Sequence, residues 1–173
     1  MNIGFDPTAV RTEDEGPEFR VGTRMRWQDN DFSNDGANVQ GDKEFLYVQA
    51  GEAITALGYL CVVDTDCIAE MVDTTSSAPG AGQGMRCGAA QAAIEENGYG
   101  WLQIYGRGSL RTLASAAVGT ELTSSATPGA VDDATTAGLE VINGLSLGTA
   151  TGGAAATNDD AYFNYPYVGR TLA

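Results

Sequence analysis

The chain has no histidine, and this absence limits the chemistry that its serines can perform. Residues 144–148, Gly-Leu-Ser-Leu-Gly, match the GxSxG pattern in which a histidine normally activates the serine as a nucleophile. Without a histidine that triad cannot form, so we interpret the segment as a strand turn and expect no enzymatic activity. The glycine-rich residues 80–84 are followed by no lysine, so they do not form a phosphate-binding loop.

Basic side chains are scarce: lysine and arginine number 9 against 23 aspartates and glutamates, for a formal net charge of −14. Phosphate binding requires clustered basic groups, so we expect neither nucleic acid nor an anionic membrane as a partner. The negative charge favours solubility, or docking on a basic surface. No apolar run reaches the roughly 18 residues of a membrane span, and residues 1–10 lack the features of a signal peptide.

Cysteine is also rare, and the three residues Cys61, Cys67 and Cys87 are odd in number. We interpret them as small buried thiols of a protein made in a reducing compartment. Their spacings match no paired zinc-ligand motif, and there is no histidine to complete a site.

The most regular pattern in the chain is the alternation over residues 98–106, Gly-Tyr-Gly-Trp-Leu-Gln-Ile-Tyr-Gly. In a strand, Tyr99, Trp101, Gln103 and Tyr105 face one side, and Gly100, Leu102 and Ile104 face the other. Aromatic and β-branched residues suit a pleated surface, and glycines close both ends. We therefore predict a strand here, preceded at residues 95–98 by a hairpin turn that Asn97-Gly98 would make as type I′.

Similar reasoning predicts an all-β fold, a compact β-barrel or β-sandwich of short antiparallel strands. Further strands are predicted over residues 19–27, 44–49, 59–64, 67–72, 85–94, 109–114, 139–142, 145–149 and 162–169, the last as an edge strand because of Pro166. Residues 28–43, 73–84 and 151–160 are predicted loops. Residues 51–106 and 119–169 resemble each other weakly in the order of their elements, which suggests a duplicated β-unit.

Residues 1–17 form an extended N-terminal arm in this interpretation, and residues 18–173 form a single β domain. The arm is acidic, and its sizeable apolar side chains include Ile3, Phe5 and Val10. It has too few apolar groups to repay its own ordering, so we expect it to become ordered on a partner's surface, with these three side chains as anchors. Arg20, Arg24 and Arg26 share one face of the predicted strand 19–27 and could meet an acidic surface of another copy.

The predicted loop at residues 28–43 contains a pattern that approximates a calcium-binding loop. Asp31, Ser33 and Asp35 place oxygens at alternate positions, Gly36 permits a sharp turn, and Asp42 stands where a twelfth-position ligand would be. No helix flanks the segment, and Asp42 is shorter than the usual glutamate. Calcium therefore remains one hypothesis for this loop, and an ordinary polar loop is the other; otherwise we expect no cofactor.

A series of short motifs resembles the capsid decoration, or cement, proteins of tailed bacteriophages. The motifs are residues 19–23, 45–50, 54–64, 88–91 with 99–103, 143–150 and 164–166, so the resemblance covers roughly residues 19–169. It implies an all-β protein without catalytic activity that assembles on a phage head. The acidic arm lies outside the resemblance.

The resemblance implies a virion structural protein that stabilises the capsid by binding the shell of the major capsid protein. Copies would associate, most commonly as trimers, on the outer surface of the head after synthesis in the host cytoplasm. The alternative is a head-fibre or tail component that binds host surface glycans, because exposed aromatic residues on the last strand would suit stacking on sugars.

Overall fold

The computed structural model describes residues 6–27, 41–148 and 156–173. Within these ranges the chain contains no helix, which confirms the all-β fold expected from the sequence. The described strands are β1 Arg24–Trp27, β2 Lys43–Ala50, β3 Leu60–Val63, β4 Ile68–Met71, β5 Arg86–Ala90, β6 Tyr99–Thr112, β7 Leu122–Ser124, β8 Val131–Asp132, β9 Glu140–Leu147 and β10 Thr157–Thr171.

These strands belong to one mixed sheet in which hydrogen-bonded neighbours form two closed circuits. The first circuit runs β2, β4, β3, β5, β6 and back to β2. The second runs β6, β10, β9, β7, β8 and returns to β6 through the pair Thr112 and Val131. Most pairs are antiparallel, as predicted, but β2–β4 and β6–β8 are parallel. Strand β6 belongs to both circuits and therefore joins the two halves of the fold.

The sheet has two large apolar cores: the first is lined by strands of the first circuit, and the second is lined by strands of the second circuit together with β3 and β5. Leu102 and Ile104 of β6 pack in the first core, whereas Leu110, farther along the same strand, packs in the second. The expected burial of Leu60, Val62, Leu102 and Ile104 is confirmed, since none exposes more than 5% of its surface. The two similar segments of the sequence, 51–106 and 119–169, each supply most of one circuit; their common origin stays a prediction.

A third cluster, rich in aromatic residues, covers the other face of β2 and β6. Trp101 and Tyr47 lie there with ring centroids 4.8 Å apart, and Phe19 meets both rings edge-on. Trp101 and Leu102 therefore occupy opposite faces of β6, as the alternation predicted. Phe19, Val21, Met25 and Trp27 also pack on this cluster, as expected from the alternation over residues 19–27.

Strand β6 continues through the glycine that was expected to end it. Gly106 has a φ of +91°, which bends the strand, and the strand then runs on to Thr112. The buried carboxamide of Gln103 holds the bend, because its Nε2 donates to the backbone oxygens of Tyr105 (3.1 Å) and Arg107 (3.0 Å). A Cβ on Gly108 would lie 2.3 Å from Gln103 Oε1, so only glycine leaves room for this side chain. The predicted strands 98–106 and 109–114 are thus one strand.

Two further differences arise from residues with positive φ. The predicted strand 19–27 is shorter, because Gly22 has a φ of +86° and Thr23 N donates to Arg20 O in a turn before β1. The predicted type I′ turn at Asn97 is also wrong. Asn97 has a positive φ but neither neighbour does, and Gly98 N donates to Glu95 O, which is the pattern of a type II turn.

The last strand is central in the sheet rather than at an edge. Strand β10 pairs with β5, β6 and β9 and begins at Thr157, within the segment predicted as a loop. Pro166 is tolerated because it lies in a register shift: Phe163 pairs with Leu145, whereas Tyr167 pairs with Asn143. The remainder of the predicted loop, residues 151–155, lies outside the described residues.

The bend at Gly106 gives a direct test of the fold. A Cβ at this position would lie 2.3 Å from the backbone oxygen of Asp42, in addition to the strain of the positive φ. We expect Gly106→Ala to lower the free energy of unfolding by about 3 kcal/mol or more, measured by urea denaturation. The matched control is Gly119→Ala, where φ is +81° but no atom lies within 4 Å of the new Cβ, and where a loss of about 1 kcal/mol is expected. Equal losses of unfolding free energy in the two variants would show that the collision of the new Cβ with Asp42 does not destabilise the fold.

Candidate docking surface

Exposed tyrosines are concentrated on β6 and β10. Tyr105, Tyr162, Tyr165 and Tyr167 expose 36%, 51%, 43% and 47% of their surface. The rings of Tyr105 and Tyr165 stack with centroids 5.3 Å apart. Tyr165 has a φ of +51° in the register shift of β10, and this backbone conformation places it next to the ring on β6. The register shift thus produces an exposed aromatic pair.

Charged groups of both signs surround this pair. Tyr165 donates its hydroxyl to Glu44 Oε2 (2.9 Å), and this bond to the carboxylate raises the pKa of the phenol. Arg26 lies opposite Glu44 in the β1–β2 ladder and forms an ion pair with Asp42, whose hydrogen bond raises the pKa of the guanidinium. Arg24 is exposed on the same strand and makes no ion pair with any residue in the described ranges.

A shallow groove extends the surface along β6 and β10. Arg107 and Tyr162 are cross-strand neighbours there, and Arg107 forms an ion pair with Asp160 (2.5 Å). The hydrogen bond that Arg107 donates to the carboxylate of Asp160 raises the pKa of this guanidinium. We use the name tyrosine surface for the set Arg24, Arg26, Asp42, Glu44, Tyr105, Arg107, Asp160, Tyr162, Asn164 and Tyr165.

The tyrosine surface is close to neutral, although the protein is strongly acidic. It holds three of the 9 basic residues and three of the 23 acidic residues, so the net charge of −14 belongs to the rest of the chain. Tyrosine and arginine are among the side chains enriched in protein interfaces and in their energetic centres. The arrangement is therefore suited to docking against another surface, while the remaining acidic surface would repel other acidic partners.

The predicted interaction residues fall in several places. Arg24 and Arg26 lie on the tyrosine surface, Arg20 is exposed in the turn before β1, and Val10 is exposed on the arm. Ile3 and Phe5 lie outside the described residues. Sequence reasoning identified the arginines and considered the aromatic residues of the last strand only for the glycan-binding alternative, and it did not group Tyr105, Tyr162 and Tyr165 into one surface. The available signal was the tyrosine-rich segment 162–167 beside a proline.

The described part of the N-terminal arm rests on its own domain, which corrects the expectation that only a partner could order it. Arg11 forms a two-bond backbone bridge with Tyr99 (2.9 and 2.8 Å), at the start of β6. The arm approaches the domain closely at Gly98, where a Cβ would lie 2.9 Å from the backbone oxygen of Arg11, so glycine leaves room for the arm. Glu18 N donates to the hydroxyl of Tyr47 (3.1 Å), so the residue that directly follows the arm is fixed to the aromatic cluster.

The structure describes one of the four proposed calcium ligands. Asp42 forms an ion pair with Arg26, so calcium would have to compete with this guanidinium for the carboxylate. Asp31, Ser33 and Asp35 lie outside the described residues, and the calcium hypothesis stays a prediction. Across the described ranges there is no group of three or more histidine, cysteine, aspartate or glutamate side chains that could hold a metal ion.

The remaining sequence motifs have structural roles. Cys61, Cys67 and Cys87 are free and buried, and burial raises the pKa of the Cys61 and Cys87 thiols. Ser146 of the GxSxG match lies within β9, which runs without interruption through Gly144 (φ +77°), so the segment is part of a strand rather than the strand turn that was expected. None of the described segments is a helix long and apolar enough to cross a membrane.

The contact between the arm and its own domain predicts that the arm stabilises the isolated protein. Deletion of residues 1–17 removes both backbone hydrogen bonds to Tyr99 and uncovers Gly98. We expect the free energy of unfolding to fall by about 1–3 kcal/mol, with a lower melting temperature in calorimetry. Because the deletion also removes acidic charge, the measurement should be repeated at about 1 M salt, where charge repulsion is screened. An unchanged melting temperature at both salt concentrations would contradict a stabilising role for the arm.

Comparisons with protein-family models, with curated proteins and with solved structures gave no match to this chain. A proposal of function therefore depends on the surfaces of the chain itself and on the resemblance carried by its sequence motifs.

Proposed function

We propose that this chain is a structural protein of a bacteriophage virion that decorates the head and stabilises it by binding the shell of the major capsid protein. The observation that carries the proposal is the near-neutral tyrosine surface on an otherwise acidic protein. The resemblance of the sequence motifs to decoration proteins supplies the identity of the partner. In this proposal the protein has no catalytic role.

The mechanism is the cross-linking of neighbouring shell subunits. A protein interface of standard size buries about 800 Å² on each partner, and the symmetry of a shell repeats each contact many times. The Tyr105–Tyr165 pair would enter the partner's surface as the central anchor, and Arg24, which has no ion pair with a described residue, would meet an acidic group of the shell. In the same proposal the copies associate as homotrimers on the outside of the head.

The rigidity of the surface also supports docking. Its side chains are mounted on β1, β2, β6 and β10, which are adjacent strands of one sheet. Tyr165 is held by its stacking partner and by Glu44, so little side-chain freedom is left to lose on binding. A surface ordered in advance binds more tightly than a mobile one of equal area.

The test is binding of the full chain to undecorated heads assembled from the major capsid protein of the same genome, measured by co-sedimentation. Tyr165→Ala should weaken binding by about thirtyfold, since truncation of a central aromatic residue costs about 2 kcal/mol or more. Tyr167→Ala is the matched control, because Tyr167 is similarly exposed on the same strand but lies outside the tyrosine surface.

The two variants separate the possible outcomes. Loss of binding in Tyr165→Ala with full binding in Tyr167→Ala supports the proposal, provided that circular dichroism shows both variants folded. Equal binding by Tyr165→Ala and the unaltered chain would remove the tyrosine surface from the mechanism. Absence of binding by the unaltered chain would overturn the assignment as a decoration protein.

A further inference from the structure

We propose that a second groove, centred on Tyr167, binds a neutral saccharide. The groove has a volume of ≈ 580 Å³, within the range of small-molecule sites, and Gln83, Asn143, Gly169 and Arg170 line it with the tyrosine. It shares no residue with the tyrosine surface, so it would act independently of docking on the shell. It also gives a specific place to the glycan-binding alternative that the sequence left open.

Tyr167 provides a rigid aromatic platform. Its backbone pairs with Arg86 of β5 on one side and with Asn143 of β9 on the other, so the residue is fixed between two neighbouring strands. Nearly half of its surface is exposed. The face of an aromatic ring carries partial negative charge and attracts the weakly positive C–H groups that cover one face of a pyranose ring.

Polar side chains line the groove beside this platform. The amide nitrogen of Asn143 lies where a Cβ of residue 169 would be, so glycine at that position makes room for it. Gln83 Nε2 lies 3.3 Å from the buried carboxylate of Glu140 and 3.3 Å from Thr171 Oγ1. Arg170 is paired with Glu121 at 3.0 Å. Two carboxamides and a guanidinium thus line the groove together with the ring.

The balance of charge favours a neutral ligand over an anion. The only cationic side chain that lines the groove, within the described residues, is Arg170, and Glu121 already compensates its charge. Carboxamides both donate and accept hydrogen bonds, as sugar hydroxyl groups do, whereas phosphates and carboxylates offer acceptors alone. Gly84 leaves open space beside the platform, since no atom lies within 4 Å of its Cβ position. A hexose ring stacked on Tyr167 could therefore reach both carboxamides.

The experiment uses the full chain on a printed array of neutral oligosaccharides of glucose, galactose and N-acetylglucosamine, followed by calorimetric titration with the oligosaccharide that binds best. Tyr167→Ala should weaken binding by about tenfold or more, because it removes the stacking platform. Tyr162→Ala is the matched control, since it truncates an equally exposed tyrosine of the same strand and should bind as the unaltered chain does. Gln83→Ala, in an exposed loop, provides a second variant if Tyr167→Ala does not fold.

The outcomes are distinct from those of the shell-binding test. Selective loss in Tyr167→Ala or Gln83→Ala supports the groove. Absence of binding to every neutral oligosaccharide, or binding that is unchanged in both groove variants, overturns it. Loss of binding in Tyr162→Ala alone would move the saccharide to the tyrosine surface and would likewise overturn the site proposed here. None of these results depends on whether the chain decorates a head.

Discussion

The fold depends on the bend in β6 that the carboxamide of Gln103 holds. A single strand takes part in both circuits, and it can change direction between them because Gly106 has a positive φ. The two hydrogen bonds donated by Gln103 go to the backbone oxygens of Tyr105 and Arg107, on the two sides of the bend. A buried polar group without partners costs about 1–3 kcal/mol, so the glutamine and the glycines at 106 and 108 form one interdependent unit. The same bend brings Tyr105 and Arg107 to the surface beside β10.

The sequence allowed the fold class and the core to be predicted, because alternation and apolar runs report which face of a strand is buried. Leu102 and Trp101 are examples: they are consecutive residues of an alternating strand, and this alone assigned them to opposite faces. The continuity of β6 could not be predicted, because Gly106 has the same appearance in a sequence whether a strand ends or bends there. The prediction of an edge strand from Pro166 was wrong for a similar reason. A proline can occupy a register shift in a central strand as well as a position at the edge of a sheet. Arg24 and Arg26 were found as site residues, but their tyrosine neighbours come from β6 and β10, and a one-dimensional pattern does not report this long-range pairing.

Charge and aromatic residues together organise the surface. In the proposed function, the acidic excess would repel other anionic surfaces and so restrict the orientations in which the protein docks. The arm was expected to become ordered only on a partner. Its backbone instead pairs with the start of β6 through Arg11 and Tyr99. Tyr167 lies on the same strand as Tyr162 and Tyr165 but in a different groove. One strand, β10, could thus serve a shell contact and a ligand contact at separate points along its length.

The central claim is that the tyrosine surface is the face that meets the shell. The most direct measurement is an electron cryomicroscopy map of heads saturated with the full chain, at a resolution that separates strands and large side chains. If the tyrosine surface binds the shell, the map will show β1, β2, β6 and β10 facing the shell, with Tyr105 and Tyr165 enclosed by the major capsid protein. A map in which these two tyrosines face solvent while another part of the chain contacts the shell would contradict it.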